Sequence, residues 1–185
     1  MYIEIIILGQ LLSGPKHGYE IKKNIQEALG ETVKINNNML YPALRRFLEM
    51  GAISKEVVES EGKPNRHVYL LTEAGEKIFS DIIRDFSSKL AGNQMEFLMR
   101  VALFDRLEPA TQQEILQKRR EVLEDRLEHY HHIGDTHPDK PFVKEIIRFQ
   151  KDQVEHELEW IERLKQQVQN TGEKIREDTD RPPVE

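Results

Sequence analysis

The chain has 185 residues, enough for one domain or two small ones with a real core. It contains no cysteine, which excludes a disulfide framework, a thiolate metal site and a cysteine nucleophile, and which suits a reducing cytoplasm. A net charge of −6 argues against nucleic acid as a partner, yet residues 1–92 carry 12 basic and 12 acidic side chains while residues 93–185 carry 15 and 21, so the excess acid lies wholly in the second half.

The opening run MYIEIIILG is short, carries Glu4 and lacks a basic flank or a small-residue cleavage site, so it reads neither as a signal peptide nor as a membrane span. Residues 2–12 are apolar on nearly every side and read as a helix buried between two bodies, with a short strand over IEIIIL as the competing reading. Ser13-Gly14-Pro15-Lys16 is a turn by composition. A second helix follows from about His17 to Leu29, with Ile21, Ile25, Ala28 and Leu29 as its stripe and Gly30 at its end. Tyr19 lies opposite that stripe, where it either meets a phosphate beside the helix N-terminus or packs on a neighbouring loop or subunit.

The stretch Asn36–Gly51 reads as a third, short helix with two faces. At 100° per residue Leu40, Leu44, Phe47 and Leu48 share a core face, while Asn38, Pro42, Arg45, Arg46 and Glu49 point away and Tyr41 sits on the flank. Three asparagines supply an N-cap and groups that both donate and accept, and Gly51 supplies the positive φ that ends the helix. Asparagine and arginine are the side chains that read base edges and phosphates, so Asn36, Asn37, Asn38, Tyr41, Arg45 and Arg46 are candidate contacts to double-stranded DNA.

Two β-rich runs, 53–59 and 66–71, flank a Gly/Pro/Asn tip and predict a hairpin. Lys63, Asn65, Arg66 and His67 make the tip cationic; placed straight after the third helix it reads as a wing able to reach a phosphate or the minor groove, against the plainer reading of a solvated hairpin. Across residues 33–70 six bases face four acids, so the patch is only mildly basic and its DNA affinity should be modest per subunit and steeply salt-dependent. Thr72 then caps a helix whose stripe, Ile78, Ile82, Phe86 and Leu90, runs to a break at Ala91-Gly92-Asn93, the expected domain boundary.

The blocks LGQLLSGPKHGYEI at 8–21, LYPALRRFLEMGAI at 40–53 and EGKPNRHVYLLTEAG at 61–75, in that order and spacing, resemble the PadR family of bacterial transcriptional regulators. The resemblance covers about the first ninety residues and implies a winged helix-turn-helix, a homodimer, operator binding and, most often, repression. The wing departs from the pattern: Asn65-Arg66-His67 stands where members often carry a more basic run followed by an aromatic residue.

In the second half, residues 94–105 read as an apolar helix, and Thr111 with Glu114 as a capping box opening a long amphipathic helix through Leu116, Leu123, Leu127 and Tyr130 to Ile133. After a turn at 134–141 a second long helix returns with Phe142, Ile146, Phe149, Val154, Leu158, Ile161, Leu164 and Val168 on one seam. Two such helices pack antiparallel, and their apolar surplus calls for a second copy, with Leu116, Leu123, Leu127, Tyr130, Phe149, Leu158, Ile161 and Leu164 as dimerisation residues. This resembles the longer PadR-type subfamily, whose C-terminal helical domain makes the dimer.

The expected organisation is therefore mainly α with a small β-hairpin: a winged helix-turn-helix over 1–92, a helical dimerisation domain over 93–170 and a disordered tail over 171–185. Phe97, Phe104 and Trp160 are candidates for lining a pocket for a small aromatic or hydrophobic effector, against a plain core role. An effector there would act by shifting the dimerising helices against the reading heads. His129 and His132 have the spacing to share a metal, but histidines also favour helix C-termini on electrostatic grounds, and no metal or cofactor is assigned. No phosphate loop, HExxH or GxSxG occurs, so the chain is not read as an enzyme. The competing function is a helical protein-interaction module that docks a partner through its acidic half without reading DNA.

Overall fold

A computed structural model describes residues 2–30, 35–60, 63–134 and 140–179, with the side chains of 58–60, 63–66, 134 and 172–179 outside the description. The chain folds as two compact units, Met1–Asp85 and Phe86–Glu185.

In the first unit α1 (Tyr2–Leu11) is helical, so the strand alternative does not hold. Its Ile5, Ile6, Ile7, Leu8 and Leu11 are buried on every side, because α1 touches α2 (Gly18–Leu29), α3 (Asn37–Glu49), α4 (Glu73–Arg84) and β3 (Lys63–Leu71) at once. Ile21 and Ile25 of α2 and Leu40, Ala43, Leu44 and Phe47 of α3 complete this core; Leu48, expected on the core face, is half-buried. Asn36 caps α3 by accepting from the Met39 N–H at 3.1 Å. Gly51 has φ 68°, the left-handed turn expected at the helix end.

The hairpin of β2 (Ile53–Ser60) and β3 is antiparallel, with Ile53 opposite Leu71 and Val57 opposite His67, and the register shifts between Val58 and Ser60. A strand unmarked in the sequence joins it. β1, only Lys16–His17, pairs Lys16 with Tyr69 and His17 with Val68 and sets the sheet order β1-β3-β2. Two residues are too few to show an alternation, which is why this segment reads as a turn by composition.

Thr72 caps α4 as expected, accepting from the Gly75 N–H at 3.1 Å while its hydroxyl donates to the Gly51 carbonyl at 2.7 Å. The stripe of α4 is corrected. The buried residues are Gly75, Phe79 and Ile83, with Ile78 and Ile82 half-buried, and the helix stops at Arg84. Phe86 belongs to the second unit, where its ring stacks on Phe97 at 6.5 Å, so the break falls at 85/86, ahead of the one read at 91–93. A Cβ on Gly75 would stand 2.0 Å from the Ala52 carbonyl oxygen, so α4 can lie this close to the β2 entry only without a side chain there.

The second unit holds α5 (Ser88–Ala91), α6 (Gln94–Val101), a 3-10 turn (Phe104–Arg106), α7 (Pro109–Gly134) and α8 (Pro141–Thr179). The single helix expected over 94–105 is therefore shorter, and α7 starts at Pro109, where a missing N–H does no harm, two residues before the Thr111 expected to cap it. Glu114 pairs instead with Lys118 at 2.8 Å. The backbone of α8 continues past Asn170 to Thr179, into the segment expected to be disordered; residues 180–185 and most of the α7–α8 turn, 135–139, lie outside the described residues.

Helices α7 and α8 run antiparallel: Gln117 meets Lys165, Arg120 meets Glu162, Arg119 meets Glu157 and Tyr130 meets Gln150, so position falls along one as it rises along the other. Their shared seam buries Leu116 and Leu123 of α7 and Val154, Ile161 and Val168 of α8, the last three at seven-residue spacing.

Two arginines are buried in this unit. Arg119 grips Glu157 through Nε at 2.8 Å and Nη2 at 2.9 Å, donates Nη1 to the Ala91 carbonyl at 2.5 Å and lies over the Phe97 ring. Arg100 donates to the carboxylate of Glu96 at 2.9 Å and to its carbonyl at 3.0 Å, over the Phe86 ring at 4.5 Å. Among the described residues no buried side-chain nitrogen or oxygen lacks a partner, and no helix is long and apolar enough to cross a membrane.

Two consequences are measurable. Gly75→Ala forces α4 off Ala52 and should cost ~1–3 kcal/mol, read as a lower melting temperature of the first unit by circular dichroism. Glu157→Ala leaves the Arg119 charge buried without its counter-ion and should cost ~3–5 kcal/mol, read by urea unfolding followed through Trp160, the chain's single tryptophan, which packs edge-on against Phe97 at 5.8 Å.

Candidate nucleic-acid interface

The outer surface of the first unit is built by what its core leaves over. With Leu40, Ala43, Leu44 and Phe47 turned into α1, helix α3 must present Asn37, Asn38, Tyr41, Pro42, Arg45 and Glu49 outward, and all six are exposed.

These groups are not equally available. Asn36 uses its side-chain oxygen on the cap, and Asn37 accepts from Lys22 Nζ of α2 at 3.4 Å. Arg46 forms an ion pair with Glu4 of α1. Asn38 and Arg45 have no hydrogen-bond or ion-pair partner among the described residues. Tyr41 is partly exposed, and its ring lies over Gly18: a Cβ there would come within 3.2 Å of the ring edge. Burial, and then the neighbouring Tyr41 phenol, raise the Tyr69 hydroxyl above its ordinary pKa. Tyr41 thus packs α3 onto the start of α2.

Around the start of α2 the backbone N–H of His17 donates to Glu20 at 2.7 Å, and His17 Nδ1 lies 3.0 Å from the His67 carbonyl, which makes Nδ1 the protonated ring nitrogen. Tyr19, exposed, stacks on His17 at 5.9 Å. Through β1, therefore, the start of α2 is bonded to the hairpin: His17 pairs with Val68, next to His67 in β3, and Tyr19 lies in the first turn of the helix that follows. The exposed His67 side chain belongs to this surface. Lys63, Asn65 and Arg66 have backbone positions in β3, but their side chains lie outside the described residues.

In the second unit the expected dimerisation residues separate into two groups. Leu116, Leu123 and Ile161 are fully enclosed in the α7–α8 seam and have no surface to offer a partner, and Leu127, Tyr130, Leu158 and Leu164 are half-buried. Phe149 is 57% exposed, and with Ile146 at 61% and Phe142 at 83% it forms an uncovered apolar face at i, i+4, i+7 on the first turns of α8.

The three aromatic residues expected to line one pocket do not share one. Phe97 is core, and Phe104 lines a cavity with Leu107, Leu164 and Val168. Trp160 lines another, of about 590 Å³, with Arg119, Arg126, Gln153, His156 and Arg163. That second cavity is more polar and cationic than an aromatic box. His129, His131 and His132 are exposed near the end of α7, and among the described residues no group of three or more histidine or acidic side chains is placed to hold a metal ion.

Residues 7–81 match the family model described as the Transcriptional regulator PadR-like family, and residues 95–169 match the one described as Virulence activator alpha C-term. The negative transcriptional regulator PadR of Bacillus subtilis (strain 168) is 28% identical over 79 residues, 43% of this chain and 43% of that protein, so the match spans less than half of the relative's length. A PadR-like transcription factor from Bacteroides fragilis is 30% identical over 43% of this chain and 75% of its own, with a TM-score of 0.40. The structure of Bacillus subtilis PadR in complex with operator DNA is 16% identical, covering 89% of this chain and 97% of its own, with a TM-score of 0.45.

Proposed function

The chain belongs to the PadR-like family of transcriptional regulators, and from that premise we propose that it acts in the cytoplasm as a homodimeric repressor that reads a pseudo-palindromic operator. The repressing sense follows the Bacillus subtilis relative, a negative regulator. The observation that carries DNA reading in this chain is the exposed row Asn38, Tyr41 and Arg45 on α3, whose opposite face is fixed in the core. Asparagine pairs with adenine and arginine with guanine or phosphate, so a rigid helix offering both can enter a major groove, one per subunit, with half-sites about 34 Å apart. Tyr19 and His67, with Lys63, Asn65 and Arg66 of the hairpin, would supply the phosphate or minor-groove contacts beside it.

A second copy is the partner we assign to the exposed Phe142, Ile146 and Phe149 face, with Tyr130 beside it through Gln150 and Leu127, Leu158 and Leu164 further along the hairpin that Leu116, Leu123 and Ile161 hold together. We assign a small effector to the cavity at Trp160. Its lining suits a flat ring bearing an acid group, because Arg126 and Arg163 line it together with the tryptophan while Arg119 is already neutralised by Glu157. Quenching of Trp160 fluorescence by a panel of aromatic carboxylates tests that assignment.

Duplex from the gene's own upstream region should bind better than random duplex in a gel shift, and the binding should weaken steeply between ~50 and ~200 mM salt. Arg45→Ala should lose ~1–3 kcal/mol of operator affinity with an unchanged melting curve; equal binding of both duplexes by the parent chain would sink the regulator reading. Replacing Phe142, Ile146 and Phe149 together by serine should turn a dimer into a monomer in sedimentation velocity, and a surviving dimer removes that face from the interface.

A further inference from the structure

The two arginines of α3 are adjacent in sequence but differently placed. Arg45 stands close to the centre of the exposed face, within roughly 20° of Asn38, while Arg46 is turned ~100° further round, toward α1. There its guanidinium pairs with Glu4 in the first turn of α1. The pair is not sealed from solvent: the Arg46 side chain is 52% exposed and that of Glu4 is 21% exposed. On the opposite flank Asn37 is engaged by Lys22 of α2. Among the described residues the helix therefore projects a central row without polar partners between two flanks tethered to its neighbours.

We propose that Glu4 is a specificity-determining residue of the reading head: it holds Arg46 off the phosphate backbone, so that binding depends on the central row of α3 and less on a charge that any sequence would satisfy. This rests on the DNA-binding reading above. An arginine on the edge of a groove-entering helix reaches phosphate by default, and a phosphate contact adds affinity to every sequence alike. Glu4 offers that guanidinium a carboxylate within the protein, and the mild surplus of base over acid in the region makes one cation per head a sizeable fraction of the electrostatic attraction. Because exposed pairs contribute little to stability, Glu4 can be changed with the fold intact.

The test uses the full chain and two duplexes, one carrying the upstream operator and one of random sequence, titrated over a range of salt. Glu4→Gln should raise affinity for the random duplex by ~3-fold per head and steepen its log–log salt slope by ~0.9 per head, with a smaller gain on the operator, so that the ratio between the two falls. The double variant Glu4→Gln with Arg46→Gln should return to the parent slope. Arg46→Gln alone frees the Glu4 carboxylate, so random-duplex affinity should fall slightly while the salt slope stays at the parent value, an outcome that holds whether or not the Glu4 variant folds. Unchanged slope in a folded Glu4→Gln chain, or a slope made shallower by Arg46→Gln alone, overturns the proposal while leaving DNA reading in place. A parent chain that binds neither duplex overturns the function reading itself.

Discussion

A helix apolar on nearly every side has to be surrounded, and α1 is. Ile5, Ile6, Ile7, Leu8 and Leu11 point in all directions around it, so α2, α3, α4 and β3 each have to lend it an apolar face. Each such side chain contributes ~1.5–3 kcal/mol on burial, more than the short α3 could supply for itself, since a helix of this length is marginal in water without packing. The orientation of α3 follows from that demand. Once Leu40, Leu44 and Phe47 are given to the core, Asn38, Tyr41 and Arg45 fall at the centre of the outward face, and the polar row is held rigidly because its back is core.

The second unit meets a different constraint. Its helices are long and rich in charge, and the junction of α5, α6, α7 and α8 contains guanidinium groups where a small domain would ordinarily place leucine. Burying such a charge costs several kcal/mol. Arg119 offsets that with a two-pronged carboxylate, a backbone carbonyl and an aromatic face, which together tie Ala91, Phe97 and Glu157 to α7. Arg100 does the same over a shorter range with Glu96 and Phe86. Such an arrangement tolerates only one relative placement of its helices, since a slip of one turn would leave a buried charge unpaired.

Much of the first unit was legible as sequence. The alternation of faces on α3, the asparagine cap, the glycine stop and the Thr72 cap each depend on neighbours within four residues, and local rules reach that far. The candidate site was legible as a set of residues but not as a set of free ones. Nothing near Arg46 in the chain marks its pairing with Glu4, 42 positions away, and nothing near Tyr41 marks its seat on Gly18. Phe86 fits the α4 stripe by period alone and yet belongs to the other unit, because Asp85 ends the helix first. A signal for the buried arginines did exist: Arg100 interrupts the run FLMRVALF four residues after Glu96, and a charge inside an apolar run calls for a partner one turn back.

By itself, then, the sequence determined where most of the helices lie, that a hairpin follows the third of them, which face of that third helix is apolar, and the family resemblance carried by three blocks, since all of these are properties of order and spacing along the chain. The tertiary structure alone decided which polar groups remain available once the chain is folded. Among the described residues it engaged Arg46 and Asn37 and left Asn38 and Arg45 without a polar partner, it closed Leu116, Leu123 and Ile161 into one seam and left Phe142, Ile146 and Phe149 outside, and it packed Phe97 in the core against Trp160 while sending Phe104 to a separate cavity. The physical reason is the same throughout: a partner distant in sequence enters within hydrogen-bond or van der Waals range only when the core has been packed, and no periodicity along one element records what another element will bring to it.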